Sequence, residues 1–155
     1  MKIFISYSTA ELELVRDIAN HIKPHAEVYY WAESKIPGQE AWLTIFKWIE
    51  QSDFVLVVIT DKTVSRAMSV GQEVGHAKAK GKTIIPLVGP FVRTEELGFL
   101  SGVIYQPIIP GNPGPALKSI EKVILMKKQE LETKNAIFVV GGIVALIILL
   151  SSSKG

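Results

Sequence analysis

Apolar residues follow two rhythms along this chain. Ile3 to Ser6, Glu27 to Trp31, Phe54 to Ile59, Thr83 to Val88 and Val103 to Ile108 are short apolar, aromatic or β-branched runs that predict strands. Between them apolar residues recur every three to four positions, the period of one helix face. Val15, Ile18, Ala19 and Ile22 predict a first helix that stops near Pro24. Trp42, Ile45, Phe46 and Ile49 predict the core face of a second, which leaves Trp48 off its centre as a contact surface. Val70, Val74 and Ala77 mark a third. Leu117, Ile120, Val123, Ile124 and Leu131 mark the last. Phe54 to Ile59 is apolar without alternation, as a central parallel strand covered on both faces requires.

The polar segments punctuate this pattern. Ser8, Thr9, Ala10 and Glu11 form a capping box before the first helix. Ala32 to Gln39 is a polar loop with a Pro37-Gly38 turn. Thr60 to Ser65 is a loop, and Gly89 to Leu100 is irregular with a helical turn near Glu95 to Leu100. Pro110 to Pro115 opens the last helix.

Strands alternating with helices indicate an α/β fold: a flavodoxin-like, three-layer, open parallel sheet of five strands in the order 2-1-3-4-5. Ligands of such sheets lie at the carboxyl ends of the strands, beside the switch point between strands 1 and 3. That edge gathers Tyr7, Ser8, Trp31 to Gly38, Thr60, Asp61 and the third helix.

Composition narrows the chemistry. At 155 residues the chain has room for one domain. Its net charge of +2 lacks the basic stripe of a nucleic-acid binder. There is no Cys, and His21, His25 and His76 lack metal-ligand spacing, so neither thiol chemistry nor a metal is expected. The start is too soon polar for a signal peptide. A dinucleotide Gly motif, a P-loop and a flavodoxin phosphate loop are all absent after strand 1, where the chain reads Ser6, Tyr7 and Ser8. These residues also supply no carboxylate for the Mg²⁺ of a phosphoacceptor receiver.

One carboxylate stands out. Glu73 lies on the apolar face of the third helix with Val70, Val74 and Ala77. A carboxylate turned toward a core has a partner or sits at the wall of a pocket. Its alternative reading is a pair with a nearby Lys or with His76 one turn on. Gly71 and Gly75 flank it, each costing about 1 kcal/mol against Ala, which suggests a close approach to the backbone there.

Four blocks in order resemble a TIR (Toll/interleukin-1 receptor homology) domain of prokaryotic type, over about Met1 to Ile124. They are KIFISYS (Lys2 to Ser8), KIPGQEAW (Lys35 to Trp42), SDFVLVVIT (Ser52 to Thr60) and GQEVGHAKAKGKTIIPLV (Gly71 to Val88). In enzymatic members of that family a Glu on this helix cleaves the nicotinamide–ribose bond of NAD⁺, and Glu73 matches it. The resemblance implies NAD⁺ as substrate with no cofactor, and defence or stress signalling as the role. It implies substrate contacts at Tyr7, Ser8, Trp31, Glu33, Pro37, Gly38 and Ser69. It also implies self-association with other TIR domains through the Pro37-Gly38 loop. A TIR adaptor without activity is the second reading. Ser69 stands where many bacterial members place Trp, Ala32 and Glu33 where several have Asp, and the loop after strand 1 lacks Arg. Trp31 and Tyr30 are both candidates for the missing ring. Ser8 reads equally as a helix cap.

The C-terminal run differs in kind. Ala136 to Leu150 is fifteen residues without a polar side chain. It spans roughly 22 Å as a helix, and roughly 27 Å with Ser151 to Ser153. Lys134 and Lys154 bracket it, and Gly141 and Ala145 would let two tails pack closely. The expected organisation is a TIR domain over 1–125, a juxtamembrane linker helix over 126–135 and a transmembrane helix over 136–153. The chain is then a single-pass, C-terminally anchored membrane protein. Lys127, Lys128 and Lys134 place the domain in the cytoplasm.

Overall fold

The computed structural model describes residues 1–152 apart from 35, 62–66 and 94–97; for 9, 67 and 135–152 it describes the backbone alone. The chain forms two compact units, Met1–Ile120 and Glu121–Gly155.

The first unit is built on five parallel strands, β1 (Lys2–Tyr7), β2 (Glu27–Tyr29), β3 (Phe54–Ile59), β4 (Thr83–Val88) and β5 (Gln106–Pro107). Their order is β2-β1-β3-β4-β5, as expected. Ile3 of β1 pairs with Phe54 and Tyr7 with Val58. Every residue of β3 is buried, because this strand is central and covered on both faces. The helices are α1 (Leu12–Ile22), α2 (Trp31–Ser34), α3 (Ala41–Gln51) and α4 (Ala67–Ala79). One core layer joins Phe4, Val55, Val57 and Ile59 of the sheet to Ile45, Trp48 and Ile49 of α3 and Val70, Val74 and Ala77 of α4. On α1 the expected stripe, Val15, Ile18, Ala19 and Ile22, is buried.

Three local outcomes differ from the sequence reading. β2, expected to reach Trp31, ends at Tyr29, and Trp31 opens a short helix that runs into the expected loop. Ser34 closes that turn: its N–H donates to the Tyr30 carbonyl at 3.0 Å, and its hydroxyl accepts from Tyr30 N–H at 3.3 Å. The fifth strand, expected over Val103 to Ile108, is two residues long. Val88 accepts from Ile108 N–H at 2.9 Å, so alternation turns the nitrogen of residue 86 to the same edge. Pro86 has no N–H to give, and the ladder stops there. The expected capping box does not close. Ser8 accepts from Ala10 N–H at 3.5 Å, but Glu11 takes a hydrogen bond from the Thr60 hydroxyl instead.

The last helix, α5 (Gly114–Ser152), begins in the first unit and continues through the second. Of its expected apolar stripe Leu117, Ile120 and Ile124 are buried and Val123 is exposed. In the second unit Glu130 takes ion pairs from Lys127 at 3.1 Å and Lys134 at 2.6 Å. Among the described residues no helix is long and apolar enough to cross a membrane. The expected span, 136–153, has its side chains outside the described residues, although its backbone is helical to Ser152.

Candidate active site

Strand β1, the short α2 and the N-terminal halves of α3 and α4 line a half-open cavity of about 260 Å³. Its walls are Phe4, Ile5, Tyr7, Trp31, Ala41, Trp42, Ile45, Ser69 and Glu73. Clefts of about 340–370 Å³ open elsewhere, but solvated polar side chains dominate their linings and none contains Glu73.

Glu73 reaches this wall because the apolar stripe of α4 seats Val70, Val74 and Ala77 on the sheet and carries Glu73 inward with them. Only 8% of Glu73 is exposed, and its Oε2 makes no hydrogen bond among the described residues. Burial pushes its carboxyl up to about 7, and the neighbouring Ser6 hydroxyl pulls weakly the other way. Ser6 Oγ also has no hydrogen-bond partner. Two polar groups are thus desolvated side by side, close enough for Ser6 to act weakly on the carboxylate, yet Glu73 Oε2 and Ser6 Oγ are left without a well-formed hydrogen bond among the described residues. Native folds rarely leave such groups inside except where a ligand completes them.

Among the described residues, the basic side chains of α4 and of the turn after it are engaged elsewhere. His76 lies 3.1 Å from Glu50 and stacks on Phe46 at 4.1 Å. Lys80 pairs with Glu50 at 2.9 Å, Lys78 donates to the Phe99 carbonyl, and Lys82 donates to the carbonyls of Glu50 and Ser52. Among the described residues Glu73 has no ion pair, so the reading of it as one half of a Lys or His76 pair is set aside. The close approach expected at its flanking glycines occurs at one of them. A Cβ on Gly71 would lie 3.4 Å from the Phe99 ring, whereas nothing lies within 4 Å of one on Gly75.

Four of the expected site residues meet at the cavity: Tyr7, Trp31, Ser69 and Glu73. The Tyr7 hydroxyl accepts from Ala32 N–H at 3.1 Å, tying the end of β1 to α2. Four others do not line it. Ser8 is buried as a cap. Glu33 faces a separate cleft with Arg16, Asn20 and Tyr30, where Lys23 donates to both its oxygens at 2.8 and 3.0 Å. Pro37 and Gly38 form an exposed turn whose backbone requires glycine, with φ of +86° at Gly38.

The indoles of α3 exchange the places expected of them. Trp48 is 9% exposed, stacked on Tyr29 at 6.0 Å and packed against Phe4 and Trp31. Trp42 is 36% exposed and stands at the cavity. Ile45, Trp48 and Ile49 share a face at i, i+3 and i+4 as well as the expected stripe does, and the aromatic pair Tyr29 and Trp31 draws that face inward. The buried Ser52, the residue that ends the helix, donates its hydroxyl to the Trp48 carbonyl at 2.7 Å on this same face.

Comparison with known proteins agrees with this architecture. Solved structures share the fold: the TIR domains of the activated Roq1 resistosome, at TM-score 0.66 and 12% identity over 79% of this chain and 98% of that one. A TIR-STING receptor from C. gigas in complex with 2′,3′-cGAMP matches at TM-score 0.66 and 17% identity, over 79% of this chain and 38% of that one. A prokaryotic SEFIR domain matches at 0.61 and 20%, over 79% and 91%. No curated protein matches the sequence. The family model for the TIR domain matches residues 3–109. The chain belongs to the TIR-domain family.

Proposed function

We propose that this chain is a TIR domain that cleaves the nicotinamide–ribose bond of NAD⁺, with Glu73 as its catalytic carboxylate. The observation that carries the reading is the unpaired, buried carboxylate of Glu73 in the wall of an apolar, indole-lined cavity. Nicotinamide leaves with the bonding electron pair as a neutral ring, so the reaction needs no general acid. Positive charge develops on the ribose, as in glycoside cleavage. The Glu73 carboxylate stabilises that cation and holds a ribose hydroxyl. Water then adds at the anomeric carbon and releases a proton, giving ADP-ribose; attack by the adenine ring of the same molecule gives a cyclic isomer. NAD⁺ is the substrate, and the reading requires no cofactor or nucleic acid. The test is NAD⁺ consumption by the purified full-length protein at low and high concentration. Consumption that disappears in Glu73→Gln supports the assignment; none in the parent protein at any concentration overturns it.

A second observation favours assembly, with or without turnover. Ile36 is 61% exposed and Leu43 is 70% exposed on either side of the Pro37-Gly38 turn. Such apolar residues beside an exposed turn suit contact with another TIR domain. The adaptor reading predicts that Gly38→Arg disturbs sedimentation, while NAD⁺ is untouched by the parent.

The membrane tether rests on sequence, through the uncharged run from Ala136 to Leu150. It gives a single-pass anchor with the domain in the cytoplasm, in keeping with a role in defence or stress signalling. Full-length protein should stay in the membrane pellet through high salt and carbonate. Val144→Arg should cost roughly 2.5–3.5 kcal/mol of insertion and weaken the anchoring. Full-length protein that is soluble without detergent would refute the anchor.

A further inference from the structure

The cavity holds two indoles in unlike situations. Trp31 is backed by Trp48 at 6.0 Å, and Trp48 is itself core, so Trp31 is an extension of the hydrophobic interior. Trp42 keeps 36% of its surface exposed at the cavity. Behind it stands a ladder of rings: Phe46 at 5.5 Å, then His76 stacked on Phe46 at 4.1 Å with the planes 12° apart. Glu50 fixes the outer rung, taking His76 at 3.1 Å and Lys80 at 2.9 Å. The ladder runs from α3 to α4, the two helices that carry Trp42 and Glu73. A half-exposed indole on an exposed helix face would ordinarily be free to turn. Here the support behind it holds the ring at the wall it shares with the carboxylate.

A flat cation placed between an indole and a carboxylate is attracted by both, through the ring's negative face on one side and the charge on the other. A neutral ring of the same shape gains the stacking but loses most of the electrostatic part. Ser69, the α4 residue of the wall one turn before Glu73, contributes only a small side chain to it.

We infer that Trp42 is the stacking platform for the pyridinium ring of the substrate, and that it makes the cavity select a planar cationic N-glycoside over a neutral one. The inference rests on the NAD⁺-cleaving reading and adds to it the residue that determines the leaving group. Phe46 and His76 act through Trp42 as positioning residues.

The experiment compares Trp42→Phe with Trp42→Leu in full-length protein, since Leu keeps apolar bulk without a π face. Calorimetry measures the affinity of 1-methylnicotinamide, a cation, and of nicotinamide, its neutral counterpart. NAD⁺ is titrated into the same variants carrying Glu73→Gln, which prevents turnover. NAD⁺ consumption by the parent is measured alongside, and thermal melts establish that each variant is folded. The expected result is NAD⁺ binding about tenfold weaker in Trp42→Leu and about threefold weaker in Trp42→Phe, the scale of one stacked, desolvated cation. The preference for 1-methylnicotinamide over nicotinamide should persist in the Phe variant and fall in the Leu variant. Equal NAD⁺ affinity in the two variants, while the parent consumes NAD⁺, overturns the platform and leaves the functional reading standing. Failure of the parent both to consume and to bind NAD⁺ overturns both.

Discussion

Helix α2 separates two clefts, and each holds a glutamate. On one side Glu73 is buried, has no ion pair among the described residues and has its carboxyl pushed up to about 7 by burial. On the other Glu33 is gripped by Lys23 through both oxygens, and that hydrogen bonding holds its carboxyl below the usual value. The residue type is the same and the distance along the fold is short. Glu33 has already spent its charge on a neighbour, in water, where the pair is worth little. Glu73 has no counter-ion among the described residues at a desolvated wall, so burial disfavours its charged form until a cation arrives, and that cation is felt strongly. The contrast shows that acidity at a sheet edge is no guide to chemistry until the partners are known.

Turnover is where the two should differ most. Glu73→Gln should lower NAD⁺ cleavage by about a hundredfold or more, as losses of transition-state charge stabilisation do. Glu33→Gln should change it by less than about tenfold. Steady-state kinetics on the two proteins decide the matter, and equal losses would erase the distinction between the clefts.

The pH profile sharpens the comparison next. If the carboxylate of Glu73 is the working form, kcat/KM is flat above its free-enzyme value of about 7 and falls about tenfold per pH unit below it. A bound pyridinium favours the charged carboxylate, so the midpoint in kcat should lie lower than that in kcat/KM. A kcat/KM profile level from pH 5 to 8 would remove Glu73 from the rate-determining chemistry.

Stability supplies the smallest effect, with opposite signs in the two clefts. Glu73 titrates in the folded state above its ordinary 4.5, so the folded protein retains a proton that the unfolded chain loses. Its contribution is full below about 4.5 and is lost as pH rises to about 7. Glu73→Gln should therefore melt roughly 5 °C above the parent at pH 8 and level with it near pH 4. Glu33 titrates below its ordinary value, so its contribution is present above 4.5 and is lost as pH falls through the folded value. Glu33→Gln should cost no more than about 0.5 kcal/mol at pH 7 and nothing in acid, since the pair is exposed. Thermal melts across this range read both slopes, and a Glu73→Gln protein less stable than the parent at pH 8 would mean that the carboxylate has a partner after all.

Sequence alone determined the parts governed by local period and by uninterrupted apolarity. Phe54 to Ile59 announces a strand buried on both faces, and β4 occupies the six residues expected of it. The alternation of strand and helix leads to the order β2-β1-β3-β4-β5. Glu73 is legible because it shares a helical face with Val70, Val74 and Ala77, and periodicity is a property of the chain itself. Tertiary structure decided everything that depended on a partner. Two overlapping stripes on α3 satisfy the helical period, and only the aromatic surface of Tyr29 and Phe4 chose the one that buries Trp48 and leaves Trp42 at the cavity. Pro107 marks β5 as an edge strand, but its length was cut by Pro86 on the neighbouring strand, which only the pairing of β4 with β5 brings opposite it. Glu33 and Lys23 are ten residues apart and found each other only when β2 lay beside β1 and turned into α2. The bare Oε2 of Glu73 is decided the same way, because whether a buried charge has a partner is a fact about neighbours in space, and the chain order does not contain it.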